Sequence, residues 1–349
     1  MSGVRLGGPL PEAVRRVVEP VTDPGGRAGR TVESALALAA RLTSVAPLPG
    51  AGDTLVRWQL LADLAAADLT VARVIEAHLD AVAILAEAAQ HADCPSGTDP
   101  GGAATWGVFA AEAPGAVLAA EPDGHDGWLV DGVKPWCSLA GRLSHALVTA
   151  RVPGGRRLFA ISLRDPGVTV EADAWHARGL VDVPSGPVCL ERVPAVPVGD
   201  PGWYLRRPGF AHGGIGVAAC WYGGAVAVAR ALVAAAQRRE PDQLALWHIG
   251  QADLDLEAAR LSLLAAAGEV DAGRAVGAAG ELLALRVRST VASAAESVLA
   301  RAGHALGPAP LTLDDTHARR VADLTVYLRQ HHAERDVAAL GRAVLDQPW

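Results

Sequence analysis

The fold is decided by the stretch Gly127-Trp128-Leu129-Val130-Asp131-Gly132-Val133-Lys134-Pro135-Trp136-Cys137-Ser138, which is followed by Ala146-Leu147-Val148-Thr149-Ala150. Alternating side chains before Asp131 and the apolar second run indicate two short strands, and the Asp-Gly pair predicts a turn. The same period of two, with frequent Gly, Pro and Asp, extends from about 104 to 198. We expect strands near 104–111, 116–121, 127–134, 145–152, 157–164, 167–172 and 186–193. This pattern predicts a small antiparallel β-barrel or sandwich.

Alanine-rich helical patterns flank this β-region. Thr31 is positioned to cap a first helix, and 54–90 has helical period with a restart at Asp68. Residues 1–30, rich in Pro, Gly and Arg, predict a loosely held lead-in. Four long patterns follow, at 209–238, 243–271, 277–304 and 314–345, with Asp242 and Asp314 as N-caps. Four such helices with short connections predict an antiparallel bundle.

The predicted fold class is therefore α+β with three domains. These are an N-terminal helical domain (1–101), a middle β-domain (102–200) and a C-terminal four-helix bundle (201–349).

Bulk composition excludes several classes of protein. The chain has 349 residues, 50% of them hydrophobic, and a mean hydropathy of +0.22, yet no run of about 18 consecutive apolar residues predicts a membrane span. The N-terminus lacks an apolar leader segment, so we expect a cytoplasmic protein. The net charge of −7, with basic residues spread along the chain, disfavours nucleic acid as a partner. Four scattered cysteines without a CxxC pair suggest neither a metal site nor disulfides.

Taken in order, several motifs resemble those of the acyl-CoA dehydrogenase superfamily. The most specific is Gly132-x-Lys134-x-Trp136-x-Ser138, similar to a family segment that lies against a flavin. Further matches, in chain order, are Asp68-x-Thr70-x-Ala72 with His78, Trp175-x-x-Arg178-Gly179-Leu180 with Leu190-x-x-Val193-Pro194, and Arg319-Arg320-x-x-Asp323-Leu324. The resemblance implies the three-domain fold, with FAD held between the β-domain and the bundle.

The resemblance also implies the cofactor-binding residues. Trp136 would stack on the ring, and Ser138 with the backbone at Cys137 would bond to its edge. The alternatives are a core tryptophan and a hydroxyl bonded to its own backbone. Gly303 and Gly307 flank a segment similar to the turn that reaches the FAD of a neighbouring subunit, which implies a homodimer or homotetramer; Gly307 alone also fits a helix C-cap. Lys134 is read as a solvated residue beside a turn.

The position of the family's catalytic glutamate is changed. Counting from Tyr327, it is occupied by His331. Glu334 lies three residues further, nearly on the same face of a continuous helix, and is a candidate for a displaced catalytic base, with a surface glutamate paired to a neighbouring arginine as the alternative. A histidine can deliver or accept a proton at neutral pH. The competing interpretation of this polar run is a solvated face or a subunit contact. His331 and His332 point about 100° apart on a helix, which is poor geometry for a metal pair.

Two other segments lack residues that the corresponding family motifs contain. The stretch that borders flavin and substrate reads Ala110-Ala111-Glu112-Ala113-Pro114-Gly115, without the family's hydroxyl and aspartate. The segment that meets the FAD diphosphate reads Arg238-Arg239-Glu240-Pro241, without its Phe-Gly. Ordinary desaturation of an acyl-CoA is therefore not expected.

Three functional hypotheses follow. The first is a flavin-dependent oxidoreductase of acyl-CoA dehydrogenase type, acting on a small molecule or acyl thioester. The second is a flavin monooxygenase on the same fold, with reduced flavin supplied by a partner reductase. The third is a non-catalytic partner subunit of a dehydrogenase complex.

Overall fold

The computed structural model describes residues 3–23, 30–90, 103–124 and 127–345. Four helices precede the strands: α1 Glu12–Thr22, α2 Val32–Leu42, α3 Thr54–Ala67 and α4 Leu69–Ala89. The strands are β1 Trp106–Phe109, β2 Leu118–Pro122, β3 Trp128–Lys134, β4 His145–Val152, β5 Gly155–Ser162, β6 Val168–Val170 and β7 Val188–Val198. The helices that follow are α5 Trp203–Arg206, α6 Pro208–Arg238, α7 Gln243–Asp271, α8 Gly277–Leu306, α9 Ala309–Leu313, α10 Asp315–Tyr327 and α11 Glu334–Leu345. The predicted α+β class is confirmed.

The described part of the N-terminal segment, residues 3–23, is packed, so the prediction of a loosely held lead-in was wrong there; residues 1–2 and 24–29 of that prediction lie outside the described residues. Helix α1 buries Val14, Val18 and Val21 along one face, at the three- and four-residue spacing of an amphipathic helix. The backbone N–H of Val4 also donates to a carboxylate oxygen of Asp63 at 2.6 Å. The Pro and Gly content around α1 concealed this short apolar period.

The predicted helix starts are confirmed by their capping hydrogen bonds. In each case a side-chain oxygen accepts the N–H of the residue three positions later. The caps are Thr31, Asp68, Asp242 and Asp314.

The strands close into a barrel around a continuous ring of pairings, β4-β2-β3-β7-β5 and back to β4. Strands β1 and β2 both pair with β4 in parallel orientation, so the barrel is not wholly antiparallel. The Asp131-Gly132 pair was predicted as a turn but lies inside β3, where the register against β7 shifts. Gly132 has φ +121°, and a Cβ there would lie 2.2 Å from the Val117 carbonyl oxygen. Gly132 therefore lies in a β-bulge, whose backbone conformation and close contact with Val117 require a glycine.

Helix α6 is the central helix of the C-terminal domain. It is long and apolar enough to span a membrane by length and composition, but 72% of its most apolar window is buried inside the protein. It packs against α3, α7, α8 and α10. Its hydrophobicity is explained by this position in the core.

The last predicted helix, 314–345, is interrupted. Helix α10 ends at Tyr327, a single 3₁₀ turn covers Leu328–Gln330, and α11 begins at Glu334. Ala333 has φ +48°, a left-handed conformation that a continuous helix does not accommodate. His331 and Glu334 therefore do not share one helix face, which corrects the sequence-based geometry.

A set of contacts that we call the interdomain clamp joins the three parts of the chain. Asp323 on α10 accepts the backbone N–H of Leu180 at 2.5 Å. Arg319, one turn earlier, donates to Asp182 at 2.6 Å and to the Thr70 hydroxyl on α4 at 3.1 Å. Three of the separate sequence motifs thus meet at one place, where they hold the β-domain against helices from both ends of the chain.

His78, from the motif on α4, is a second structural contact. Its ring is fully buried; Nδ1 accepts the backbone N–H of Trp106 at 3.2 Å, and Nε2 lies 2.8 Å from the Thr43 hydroxyl. With Nδ1 accepting, the proton lies on Nε2 and is donated to Thr43. Burial lowers the pKa of His78 to about 4, so the ring is neutral and links α2, α4 and β1.

Candidate functional site

The Trp136 loop, residues 135–140, follows β3 at the edge of the barrel. Backbone N–H groups of Cys137 and Leu139 donate to the carbonyls of Gly186 and Pro184, which fixes the loop. Trp136 has φ +61° and its side chain is 57% exposed. The alternative of a core tryptophan is therefore wrong: the indole is presented to the surface.

The neighbours of Trp136 turn inward. The Cys137 thiol is buried, and burial raises its pKa to about 12, so its side chain points away from the surface that Trp136 faces. Lys134, expected to be solvated, is 3% exposed. Its ammonium donates to the carbonyl and the hydroxyl of Thr149 at 2.9 and 2.8 Å, and burial lowers its pKa to about 8. The alternating pattern of β3 placed this residue inside the barrel.

Ser138 begins a chain of side chains that we call the polar junction: Ser138, Arg73, Glu76 and Tyr327. One nitrogen of the Arg73 guanidinium, Nη2, donates to the Ser138 hydroxyl at 3.2 Å, and the other, Nη1, donates to Glu76 Oε2 at 2.9 Å. The Tyr327 hydroxyl donates to the same carboxylate oxygen at 3.2 Å. The junction thus runs from the β-domain through α4 to the end of α10.

Ser138 has a further partner, since its hydroxyl lies 2.8 Å from that of Ser185. Ser185 also donates to the Val183 carbonyl at 3.0 Å, so the proton between the two serines comes from Ser138. This arrangement leaves the Ser138 oxygen free to accept from Arg73. The alternative in which Ser138 bonds to its own backbone is wrong.

The junction is shielded from water. The side chains of Arg73 and Glu76 are 14% and 9% exposed, and Tyr327 is fully buried. Burial is the largest influence on the pKa of Arg73 and lowers it, but the neighbouring acidic groups, of which Glu76 acts most strongly, together outweigh it, so the pKa of Arg73 is raised. Burial also raises the pKa of Tyr327 well above its usual value. Arg73 is therefore a fixed positive charge and Tyr327 a neutral donor.

His331 lies beside a cavity of about 470 Å³ between α8 and α11. Its ring is 8% exposed, Nε2 lies 3.1 Å from the Ser289 hydroxyl, and the Asp336 carboxylate is 3.6 Å away. Burial lowers the pKa of His331, although Asp336 opposes this shift. The ring is therefore largely neutral at pH 7, with Nε2 bonded to Ser289.

The cavity is acidic. Glu334 lines it together with Glu296, which pairs with Arg329. The other lining residues are small, neutral or apolar: Ser289, Ala292, Ser293, Ala333, Val337 and Ala338. Among the residues that the structure describes, no arginine or lysine lines this cavity. Glu334 and His331 therefore line the same cavity, although the helix between them is broken.

Trp221 on α6 lies between the cavity and the polar junction. Its fully buried indole contacts the Tyr327 ring edge-on at 6.4 Å between centroids and the His331 ring at 6.2 Å. Arg288 lies over the same indole at 4.8 Å. A chain of contacts through the polar junction and Trp221 therefore links Ser138 to His331.

Sequence reasoning missed Arg73 and Glu76. Their signal was a charged pair three residues apart on α4, whose other positions are largely apolar. Such a pair is normally a solvated helix face. The Arg73–Glu76 pair could have been identified as buried only from the packing of α4 between neighbours on both sides.

The predicted turn at Gly303 and Gly307 lies at the end of α8. Gly307 is the C-cap, with φ +65°, and its N–H donates to the Gly303 carbonyl. A Cβ at either glycine would meet open space. The C-cap interpretation of Gly307 is confirmed, and contact with a neighbouring subunit stays a prediction.

Comparison with a family model identifies the C-terminal part of the chain. Residues 200–328 match the acyl-CoA dehydrogenase C-terminal domain. A search of the curated proteins finds no match. Of the motifs quoted above, Arg319-Arg320-x-x-Asp323-Leu324 lies within this range, and those on α4 and in the β-domain lie before it.

Solved structures give the same fold over the whole chain. KijD3 in complex with FMN and dTDP-3-amino-2,3,6-trideoxy-4-keto-3-methyl-D-glucose matches with a TM-score of 0.81 and 21% identity, over 99% of this chain and 97% of that one. The nitrososynthase from Micromonospora carbonacea var. africana matches at 0.74 and 21%, over 100% of both chains. Butyryl-CoA dehydrogenase from Megasphaera elsdenii matches at 0.81 and 17%, over 97% and 100%. The resemblance to acyl-CoA dehydrogenases is thereby confirmed at the level of fold.

Proposed function

Because the chain has the fold of the acyl-CoA dehydrogenase superfamily and matches its C-terminal domain, we propose that it is a flavin-dependent oxidoreductase that oxygenates a small polar substrate. The flavin ring lies against the Trp136 loop, with Ser138 at its edge and the polar junction beside it. When bound, the flavin supplies the electron-transfer chemistry that amino-acid side chains lack.

The residues at the loop fit a flavin ring. An indole that is 57% exposed offers a broad apolar face, which an aromatic ring covers well. A left-handed backbone at a tryptophan costs about 1–3 kcal/mol and commonly marks a ligand site. Ser138 supplies a hydroxyl at the edge of that face. The resemblance favours FAD, whereas the missing Phe-Gly near Arg239 removes a diphosphate contact, so FMN is the second candidate.

The choice of oxygenation rests on one observation, the replacement of the family's glutamate by a buried neutral histidine next to an acidic cavity. Desaturation of an acyl-CoA needs a carboxylate that reaches the α-carbon, and CoA carries several phosphates. His331 provides no carboxylate, and the carboxylate that Glu334 brings to the cavity disfavours a polyanion such as CoA. His331 can instead give or take a proton during the oxidation of a phenol, an amine or a similar small polar group.

The acidic lining favours an amine among these substrates. The Glu334 carboxylate and the Ser293 hydroxyl accommodate an ammonium group through charge and a hydrogen bond, whereas the charge of Glu296 is offset by Arg329. The ligand of KijD3 includes an amino group, which is consistent with this class. Acyl thioesters become the less favoured substrates.

The experiment supplies reduced flavin, through a flavin reductase and NADH, to the full-length protein in air. A panel of small amines and phenols is compared with butyryl-CoA assayed with a dye acceptor. We expect oxygen-dependent product from the first panel and no dye reduction with butyryl-CoA, and His331→Ala should lower the oxygenation rate at least tenfold. Dye reduction by butyryl-CoA without oxygenation would contradict the proposal, and an unchanged rate in His331→Ala would remove His331 from the mechanism.

Homo-oligomerisation belongs to the same proposal. Helix α7 exposes Leu244, Trp247, Leu254 and Leu261, of which the last three repeat every seven residues. Such a stripe is typical of a helix that packs against another helix. We expect a dimer or tetramer by light scattering, with Leu254→Glu shifting it toward the monomer; a monomeric wild-type protein would contradict this part.

A non-catalytic role is the second candidate, and the lost diphosphate contact at Arg238-Arg239-Glu240-Pro241 favours it. It predicts a folded oligomer that takes up neither FAD nor FMN and associates with a second chain of the same fold.

A further inference from the structure

The polar junction contains a charge pair that the proposed reaction does not use. Arg73 and Glu76 are separated by 2.9 Å, and Arg73 also bonds to Ser138, the hydroxyl at the proposed flavin edge. Glu76 lies on the far side of the guanidinium, where Tyr327 also donates to it. The positive member of the pair is therefore nearer to the loop than the negative member.

Burial makes this arrangement electrostatically effective. Both side chains are at least 86% buried, so water screens them little. Trp221 and Tyr327 complete an apolar wall behind them. Arg73 keeps its charge under all ordinary conditions.

We propose that Arg73 sets the redox balance of the flavin site, by stabilising the reduced anionic ring over the oxidised neutral ring, and that Glu76 attenuates this effect. The inference rests on the proposed function, since it requires a flavin at Ser138. Two electrons and one proton convert the neutral oxidised ring into an anionic reduced ring. A positive charge nearby favours that product, and a carboxylate behind it opposes it. Arg73 is a tuning residue; its charge, rather than proton transfer, is what matters.

The test measures the midpoint potential of the bound flavin by reductive titration with dithionite against a reference dye. Arg73→Gln should weaken the preference for reduced over oxidised flavin about tenfold, which lowers the potential by about 30 mV for a two-electron couple. Arg73→Lys retains the charge and should stay near the wild-type potential. Glu76→Gln should move the potential in the opposite direction, to more positive values.

The opposite signs separate tuning from a purely structural role, because loss of packing would move both variants the same way. Arg192→Gln, in an exposed ion pair with Glu121, is the matched control and should not change the potential. An unchanged or more positive potential in Arg73→Gln overturns the inference, as does an unchanged or more negative one in Glu76→Gln. If Arg73→Gln fails to fold, Glu76→Gln and Arg73→Lys decide. Failure of the wild-type protein to bind either flavin refutes the proposed function instead, before any potential is measured.

Discussion

The interdomain clamp and the polar junction both join α4, the β-domain and α10, yet they are built differently. In the clamp, Asp323 and Arg319 secure a backbone N–H, a carboxylate and a threonine hydroxyl. In the junction, side chains bond mainly to one another, in a line that leads to the exposed indole of Trp136. The clamp therefore fixes the relative placement of the domains, whereas the junction presents charge and donors to a surface.

This difference separates stability from binding. Changes at the clamp should lower the free energy of unfolding with little effect on flavin affinity for the folded protein. Changes at the Trp136 loop should lower the flavin affinity of the folded protein with little effect on the free energy of unfolding. Each prediction below tests one side of that division.

The largest effect is expected from Asp323→Ala. The substitution leaves the buried Leu180 N–H without its acceptor and removes one of the two carboxylates near Arg319, which keeps Asp182, at a cost of about 3–4 kcal/mol in unfolding free energy. Denaturant unfolding measures it, with Asp315→Ala, an exposed position on the same helix, as control. A loss below about 1 kcal/mol, the value of an ordinary surface contact, would contradict the stabilising role assigned to the interdomain clamp.

A smaller loss of unfolding free energy, which depends on pH, is expected from the protonation of His78. Its folded-state pKa of about 4 lies below the ordinary histidine value of 6.5, so the unfolded chain takes up the proton first on acidification. Stability should fall as the pH drops from 6.5 to 4, by about 3 kcal/mol from this group. His78→Gln should lack this part of the pH dependence in unfolding measured across the window. A constant difference between the two proteins would show that His78 is not held neutral.

The third effect concerns the loop. Trp136→Ala removes a stacking surface worth about 1–3 kcal/mol, so flavin affinity should fall on the order of tenfold or more, with unfolding free energy nearly unchanged because the side chain is exposed. Fluorescence quenching of free flavin measures the first quantity and denaturant unfolding the second. Leu313→Ala, an exposed apolar position on α9, is the control. Equal affinity in both variants would place the flavin elsewhere.

The smallest effect is expected from Ser138→Ala. Loss of one hydroxyl bond costs about 1 kcal/mol, or about fivefold in flavin affinity. Ser185→Ala, which removes the hydroxyl that accepts from Ser138, should have a weaker effect still. A larger loss in Ser185→Ala than in Ser138→Ala would reverse the assignment of the flavin edge.

The clamp and the scaffold were largely predictable from sequence because their signals are local. Capping by Asp68 and Asp314 follows from residue type and position. The strands near 127–134 and 145–152 follow from alternation. Arg319, Asp323 and Leu180 were found as motifs, although their mutual contacts required the fold.

The site was less predictable because its geometry is tertiary. Barrel closure determines that Lys134 points inward and that Asp131-Gly132 forms a bulge instead of a turn. The left-handed Ala333 breaks the helix that was used to relate His331 to Glu334. Arg73 and Glu76 resemble a solvated pair until α4 is enclosed from both sides.

The central claim is most directly tested by titrating the full-length, oligomeric protein with FMN and FAD while recording flavin absorbance and fluorescence. The account predicts saturable binding of at least one flavin, with a perturbed visible spectrum, and weaker binding in Trp136→Ala but not in Leu313→Ala. Absence of binding for both flavins, oxidised and reduced, would contradict it.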